Sequence, residues 1–93
     1  MKSVIWKFPL KVSDYQLLEI PIGSVILSIQ TQNEIPSLWA LIYNINAPKE
    51  TIKLRTIGTG ISIEMSEIDV RDFLGTYQLK AGRYVYHVFQ CTK

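Results

Sequence analysis

Residues 20–48 read IPIGSVILSIQTQNEIPSLWALIYNINAP, a long and mostly apolar stretch that carries a single charge. Its first half puts Val25, Leu27 and Ile29 on one side of an alternating pattern, which is typical of a strand with one buried face. Its second half, residues 38–43, is apolar at every position, as in a central strand that is covered on both faces. We predict that these two strands form a β-hairpin around which the rest of the chain packs.

The turn of this hairpin is predicted at residues 33–37, NEIPS. Pro36 has no amide hydrogen to donate to a neighbouring strand, and it biases the residue before it away from helical conformations. Polar turn-forming residues and a proline between two apolar runs therefore favour a reversal of the chain at this point.

Other alternating segments are predicted to be strands as well, at residues 3–10, 15–20, 50–57, 76–79 and 83–91. The last two form a second hairpin across residues 80–82. Residues 61–65 fit a short strand or an extended arm, and residues 66–73 fit one or two helical turns. The sequence thus predicts a single mainly β domain over residues 1–93, a small antiparallel sandwich or open barrel of about seven strands with at most one short helix.

Length and charge restrict the classes of partner. The chain has 93 residues and a net charge of +2, and its ten basic residues form no run, so nucleic-acid binding through a basic patch is not expected. A chain of this size has little room for both a core and a deep cavity, so we expect a pocket on the surface or between copies of a homo-oligomer. Without a signal-like apolar segment or a run of about 20 apolar residues, the chain is expected to be cytoplasmic with no membrane partner.

The strongest candidate for a binding motif is the strand end and turn formed by Arg55, Gly58, Thr59 and Gly60. Two glycines let the backbone approach a ligand, and three successive amides could form an anion nest, with Arg55 adding a fork of donors. The alternative is a strand that simply ends in a tight turn, since the motif lacks the lysine and the long helix of a phosphate-binding P-loop. Both interpretations remain open at this stage.

Four other polar or aromatic residues complete the predicted ligand set. His87, the only histidine, is either a half-buried side chain bonded to backbone or a donor to a phosphate or a base edge. Gln78 could contact a polar edge of the same ligand. Trp39 and Tyr43 share a strand face, and they are either packing residues or a wall on which a nucleobase stacks.

Catalytic and metal-binding patterns are not found in the sequence. Cys91 is the only cysteine, and His87 has no identifiable nucleophile partner. The four acids between residues 64 and 72 are interpreted as a solvated face rather than a catalytic pair. We therefore expect no enzymatic activity, no metal site and no cofactor.

Six short motifs taken together resemble a family of short phage and prophage proteins of about this length. The motifs are IWKFPL at 5–10, ILSIQTQ at 26–32, LWAL at 38–41, GTG at 58–60, GTYQ at 75–78 and HVF at 87–89. The resemblance spans nearly the whole chain and brings no catalytic residues with it. It implies a compact, cytosolic accessory phage protein, a group that includes oligomeric sponges for cyclic nucleotide immune signals.

Two functions are compatible with these observations. The first is a small binding protein that sequesters a phosphorylated, nucleotide-derived immune signal, including a cyclic one, in a pocket at a homo-oligomer interface. The alternative is a protein–protein interaction module that inhibits a host factor or serves as a small structural subunit. The alternative predicts that the neutral residues 20–48 are exposed in the monomer.

Overall fold

Seven strands form two antiparallel sheets in the computed structural model, which describes residues 2–92. A three-stranded sheet has the order β1-β4-β3, and a four-stranded sheet has the order β2-β5-β7-β6. The expectation of a mainly β sandwich is confirmed. The strands are β1 (Val4–Pro9), β2 (Tyr15–Pro21), β3 (Val25–Gln32), β4 (Ile35–Ile42), β5 (Lys49–Gly58), β6 (Phe73–Leu79) and β7 (Tyr84–Cys91).

The hairpin predicted in residues 20–48 is present as β3 and β4, but its turn is shorter than expected. Only Asn33 and Glu34 form the turn, both with positive φ, 51° and 65°, which suits a two-residue hairpin because its twist matches that of the strands. The placement of Pro36 in the turn was wrong, since it lies in β4 and pairs with Thr31 of β3. Proline is tolerated there because the pairing of β1 with β4 extends only as far as Ser37.

The predicted inward face of β3 was wrong at two of its three residues. Val25 and Leu27 are 44% and 50% exposed, whereas Ile29 is 3% exposed. A register shift between Ile26 and Ser28 inserts an extra residue into β3, and such a bulge moves every later side chain to the opposite face.

The central position of β4 between β1 and β3 agrees with its apolar sequence. Leu38, Ala40 and Ile42 are fully buried against the other sheet. Trp39 and Leu41, on the outer face, are only half-buried, so the strand is fully covered on one face and not on both.

The connection between β5 and β6 includes residues 61–72, which we call the strap, and it crosses the outer face of the four-stranded sheet. The strap begins as an extended segment without strand pairing and continues into two short 3₁₀ turns, Met65–Glu67 and Val70–Asp72. The arm and the short helical turns expected here are therefore present. In residues 2–92, no helix has the length and apolar character needed to cross a membrane.

Candidate functional site

Arg55 lies on the outer face of β5, where its guanidinium is held by groups of the protein itself. Nη1 donates to the carbonyl oxygen of Thr56 at 3.0 Å and lies 3.8 Å from Oδ1 of Asp14. Nη2 donates to Oε1 of Glu67 in the strap at 3.4 Å. The guanidinium also lies 4.8 Å from the ring of Tyr15. With only 9% of the residue exposed, Arg55 anchors the strap and is not presented to solvent.

The predicted anion nest in the glycine turn, residues 58–60, is not formed. The amide of Ile61 donates to the carbonyl of Gly58 at 3.2 Å, and Gly60 has a φ of 88°, as in a type II turn. The amide of Thr59 donates to the carbonyl of Val85 at 3.1 Å. A nest needs successive free amides on one side, and here one of them is used by the neighbouring strand.

His87 connects the glycine turn to β6. Its Nε2 lies 2.6 Å from Oγ1 of Thr59, and its Nδ1 lies 2.9 Å from Oγ1 of Thr76. The Thr59 hydroxyl also lies within hydrogen-bond distance of the carbonyl oxygen of Val85, at 3.3 Å. The ring is half-buried as expected, but its partners are hydroxyls and not backbone groups.

A cleft of about 500 Å³ opens where the glycine turn meets the start of β7. Its lining includes the exposed side chain of Arg83, which makes no ion pair within residues 2–92. Tyr84, 44% exposed, lies beside it. The full lining is Asp14, Gly58, Thr59, Ile61, Arg83, Tyr84, Val85 and Tyr86.

Two of the eight predicted ligand residues, Gly58 and Thr59, line this cleft. Gly60 and His87 line an adjacent apolar groove beneath the strap, and Arg55 reaches the cleft only through its ion pair with Asp14. The other three predicted residues line neither cavity: Gln78 lies in β6, Trp39 in β4, and Tyr43 follows β4.

Six of the eight cleft residues were not assigned to the site by sequence reasoning, among them Arg83, Tyr84 and Tyr86. The available signal was their spacing, because Tyr84 and Tyr86 alternate onto one face of β7. Arg83 directly follows the turn at residues 80–82, so it stands at the end of the hairpin, where side chains reach solvent. Nothing local indicates that the glycine turn and residue 14 lie beside them.

Among residues 2–92, no three His, Cys, Asp or Glu side chains are placed to hold a metal ion together. No curated protein and no solved structure matches the chain significantly. A family model does match, over residues 1–93, and its description is a domain of unknown function, DUF7352. The chain therefore belongs to the DUF7352 family of domains.

Proposed function

We propose that this protein is a non-catalytic binding protein that sequesters an anionic ligand with an aromatic ring, of the nucleotide-derived class. The ligand occupies the cleft between the glycine turn and the start of β7. The observation that carries the proposal is that one concave site contains both the exposed ring of Tyr84 and the exposed guanidinium of Arg83, which makes no ion pair within residues 2–92.

The phosphate contact comes from Arg83, which replaces Arg55 in this role. A guanidinium offers two parallel N–H donors to phosphate oxygens, and charge-assisted bonds of this kind are stronger than neutral ones. Asp14 stands in the same cleft, but it lies within ion-pair distance of Arg55. That pairing reduces the repulsion that its carboxylate would exert on an incoming anion.

The aromatic contact comes from Tyr84. A base stacked on an aromatic side chain contributes about 1–3 kcal/mol, and almost half of the Tyr84 surface is exposed for such a contact. Nζ of Lys80 lies 5.8 Å from the centre of this ring, so a second positive charge is close to the place where a base and its phosphate would lie.

The biological setting follows from the resemblance to short phage and prophage proteins. In that setting the ligand is an immune signal in the host cytoplasm, and sequestration needs affinity but no turnover. The cleft is open to solvent, so a neighbouring copy in a homo-oligomer would bury the ligand more fully.

Isothermal titration against cyclic dinucleotides, cyclic ADP-ribose isomers and inorganic phosphate tests the proposal. Arg83→Gln and Tyr84→Ala should each weaken nucleotide binding about fivefold or more, since each removes a contact worth at least about 1 kcal/mol. Arg71→Gln is the control, because Arg71 is also an exposed arginine but lies outside the cleft and pairs with Asp69. If the folded protein binds no ligand of the panel, or if all three variants lose the same amount of affinity, the proposal is contradicted.

A protein–protein interaction module that inhibits a host factor or serves as a structural subunit is the second candidate. It is favoured by apolar side chains of residues 20–48 that remain exposed, among them Leu27 at 50% and Ile35 at 51%. This function predicts that Arg83→Gln retains full biological activity. Loss of activity in Arg83→Gln, together with measured nucleotide binding by the unsubstituted protein, excludes it.

A further inference from the structure

The strap presents an acidic and apolar surface to solvent. Met65 is 92% exposed, Val70 78% and Ile61 64%, which is unusual for side chains of this size on a surface that has no partner. Four carboxylates and one guanidinium lie in the same twelve residues. Two of the four carboxylates are ion-paired, Glu67 with Arg55 and Asp69 with Arg71. The strap also contains an open hollow of about 380 Å³, lined by Ile63, Met65, Ile68, Asp69 and Val70.

The outer face of the three-stranded sheet has the complementary character. The register places Ile5 of β1, Leu41 of β4 and Val25 of β3 side by side across the sheet. Ile5 is 57% exposed, and Val25 is 44% exposed. None of the three strands contains an acidic residue, and their only charged side chain is that of Lys7.

Lys7 lies in the next row of the same face. Its Nζ is 5.9 Å from the ring centre of Trp39, and it donates to Oε1 of Gln32 at 2.5 Å. It makes no ion pair within the part of the chain that the structure describes. Lys7 therefore places a positive charge that has no carboxylate partner in residues 2–92 beside the apolar row of Ile5, Leu41 and Val25.

We infer that copies of this chain associate head to tail, with the strap of one copy seated on the outer face of the three-stranded sheet of the next. The exposed side chain of Ile5 enters the hollow beside Met65. Lys7 faces Glu64 and Asp72, the strap carboxylates that form no ion pair within residues 2–92. A contact of strap on strap would instead bring two acidic surfaces together, which is unfavourable. The two surfaces lie on opposite sides of the sandwich, so the contact is heterologous and can repeat from copy to copy.

Sedimentation of two variants, each blocked on one surface, tests the inference without any ligand. Met65→Glu blocks the strap and Ile5→Glu blocks the sheet face; both side chains are exposed, so the fold should be retained. The unsubstituted protein should associate with rising concentration. Each variant should associate about a hundredfold or more weakly, because the contact would bury an unpaired carboxylate.

A mixture of the two variants should form a one-to-one dimer and nothing larger. The intact strap of the Ile5→Glu copy can still bind the intact sheet face of the Met65→Glu copy, and both remaining surfaces are blocked. Leu17→Glu, at a site 69% exposed on β2, is the control and should associate like the unsubstituted protein. A monomeric unsubstituted protein, unchanged association of either variant alone, or a mixture that stays monomeric overturns the inference.

Discussion

Gly75 of β6 lies so close to Ile29 of β3 that no side chain fits between them. A Cβ atom built on Gly75 would be 2.9 Å from Cβ of Ile29 and 3.2 Å from its backbone nitrogen. These two residues mark the place where the edge of the four-stranded sheet meets the edge of the three-stranded sheet. Because Gly75 has no side chain, β6 can approach β3 closely enough to close this side of the sandwich.

Replacing Gly75 with alanine should therefore lower the free energy of unfolding by about 1–3 kcal/mol, because the methyl group would press on the backbone of β3. The measurement is equilibrium unfolding in urea. Gly58→Ala is the matched control, since its Cβ would lie 3.5 Å from the nearest atom, an ordinary contact. Equal losses in the two variants would show that the close approach at Ile29 is not the cause.

Glu67→Gln should loosen the strap without unfolding the sandwich. The change removes the charge that faces Nη2 of Arg55, but Asp14 remains within ion-pair distance, so we expect a loss of about 1 kcal/mol. Hydrogen exchange should accelerate at strap amides and not in β5 or β7. Glu50→Gln, at an exposed site on β5, is the control and should change neither the stability nor the hydrogen exchange of the strap. Uniform acceleration of exchange over the whole chain would contradict the anchoring role of Arg55.

Tyr77→Phe should make the protein more stable. The Tyr77 hydroxyl is buried and has no hydrogen-bond partner among residues 2–92, so removing it should raise the free energy of unfolding by about 1 kcal/mol at neutral pH. Burial, with a smaller contribution from the charge of Tyr86, raises the pKa of Tyr77 from 10.0 to about 12.

The raised pKa of Tyr77 also predicts how the stability of the protein changes at alkaline pH. The folded state holds the phenolic proton of Tyr77 more tightly than the unfolded state does. As the pH rises from about 10 towards 12, the unfolded chain loses this proton before the folded protein does, and the unsubstituted protein therefore loses stability in this range. The stability gap between Tyr77→Phe and the unsubstituted protein should therefore widen above about pH 10. Urea titrations at neutral and alkaline pH measure it, and a gap that stays constant would show that the hydroxyl is solvated.

Ala81→Gly should stabilise the turn between β6 and β7. Ala81 has a φ of 55°, a conformation that costs a residue with a Cβ about 1–2 kcal/mol. Relief of this strain exceeds the extra chain entropy of glycine, about 0.5–1 kcal/mol, so thermal unfolding should shift upwards. Ala47→Gly, at a position without positive φ, should lower the temperature of unfolding. A shift in the same direction in both variants would show that backbone strain at Ala81 is not the cause.

The bulge between Ile26 and Ser28 shows where local pattern failed as a guide to the fold. Alternation correctly predicted the strand, because period two reflects which side chains can share a face. It could not predict which face is buried on each side of the bulge, because an inserted residue is stabilised by the partner strand and not by its own sequence.

The candidate site was likewise predicted from the sequence only in part. The sequence indicated Gly58 and Thr59 as a turn at a strand end, and both line the cleft. The partners of Arg55 were not predictable, since Asp14 and Glu67 come from segments far along the chain on either side of it. An arginine that looks exposed in an alternating strand is buried here because the strap crosses above it.

The sequence by itself determined the mainly β class of the fold, through strands predicted from alternation and hairpin turns predicted from polar residues and glycines. These are consequences of local sterics and of the apolar surface each segment must bury. Only the tertiary structure decided which sheet each strand joined, which charges are neutralised, and that Arg83 and not Arg55 faces the cleft. Those outcomes depend on contacts between residues distant in the chain, and no local preference encodes them.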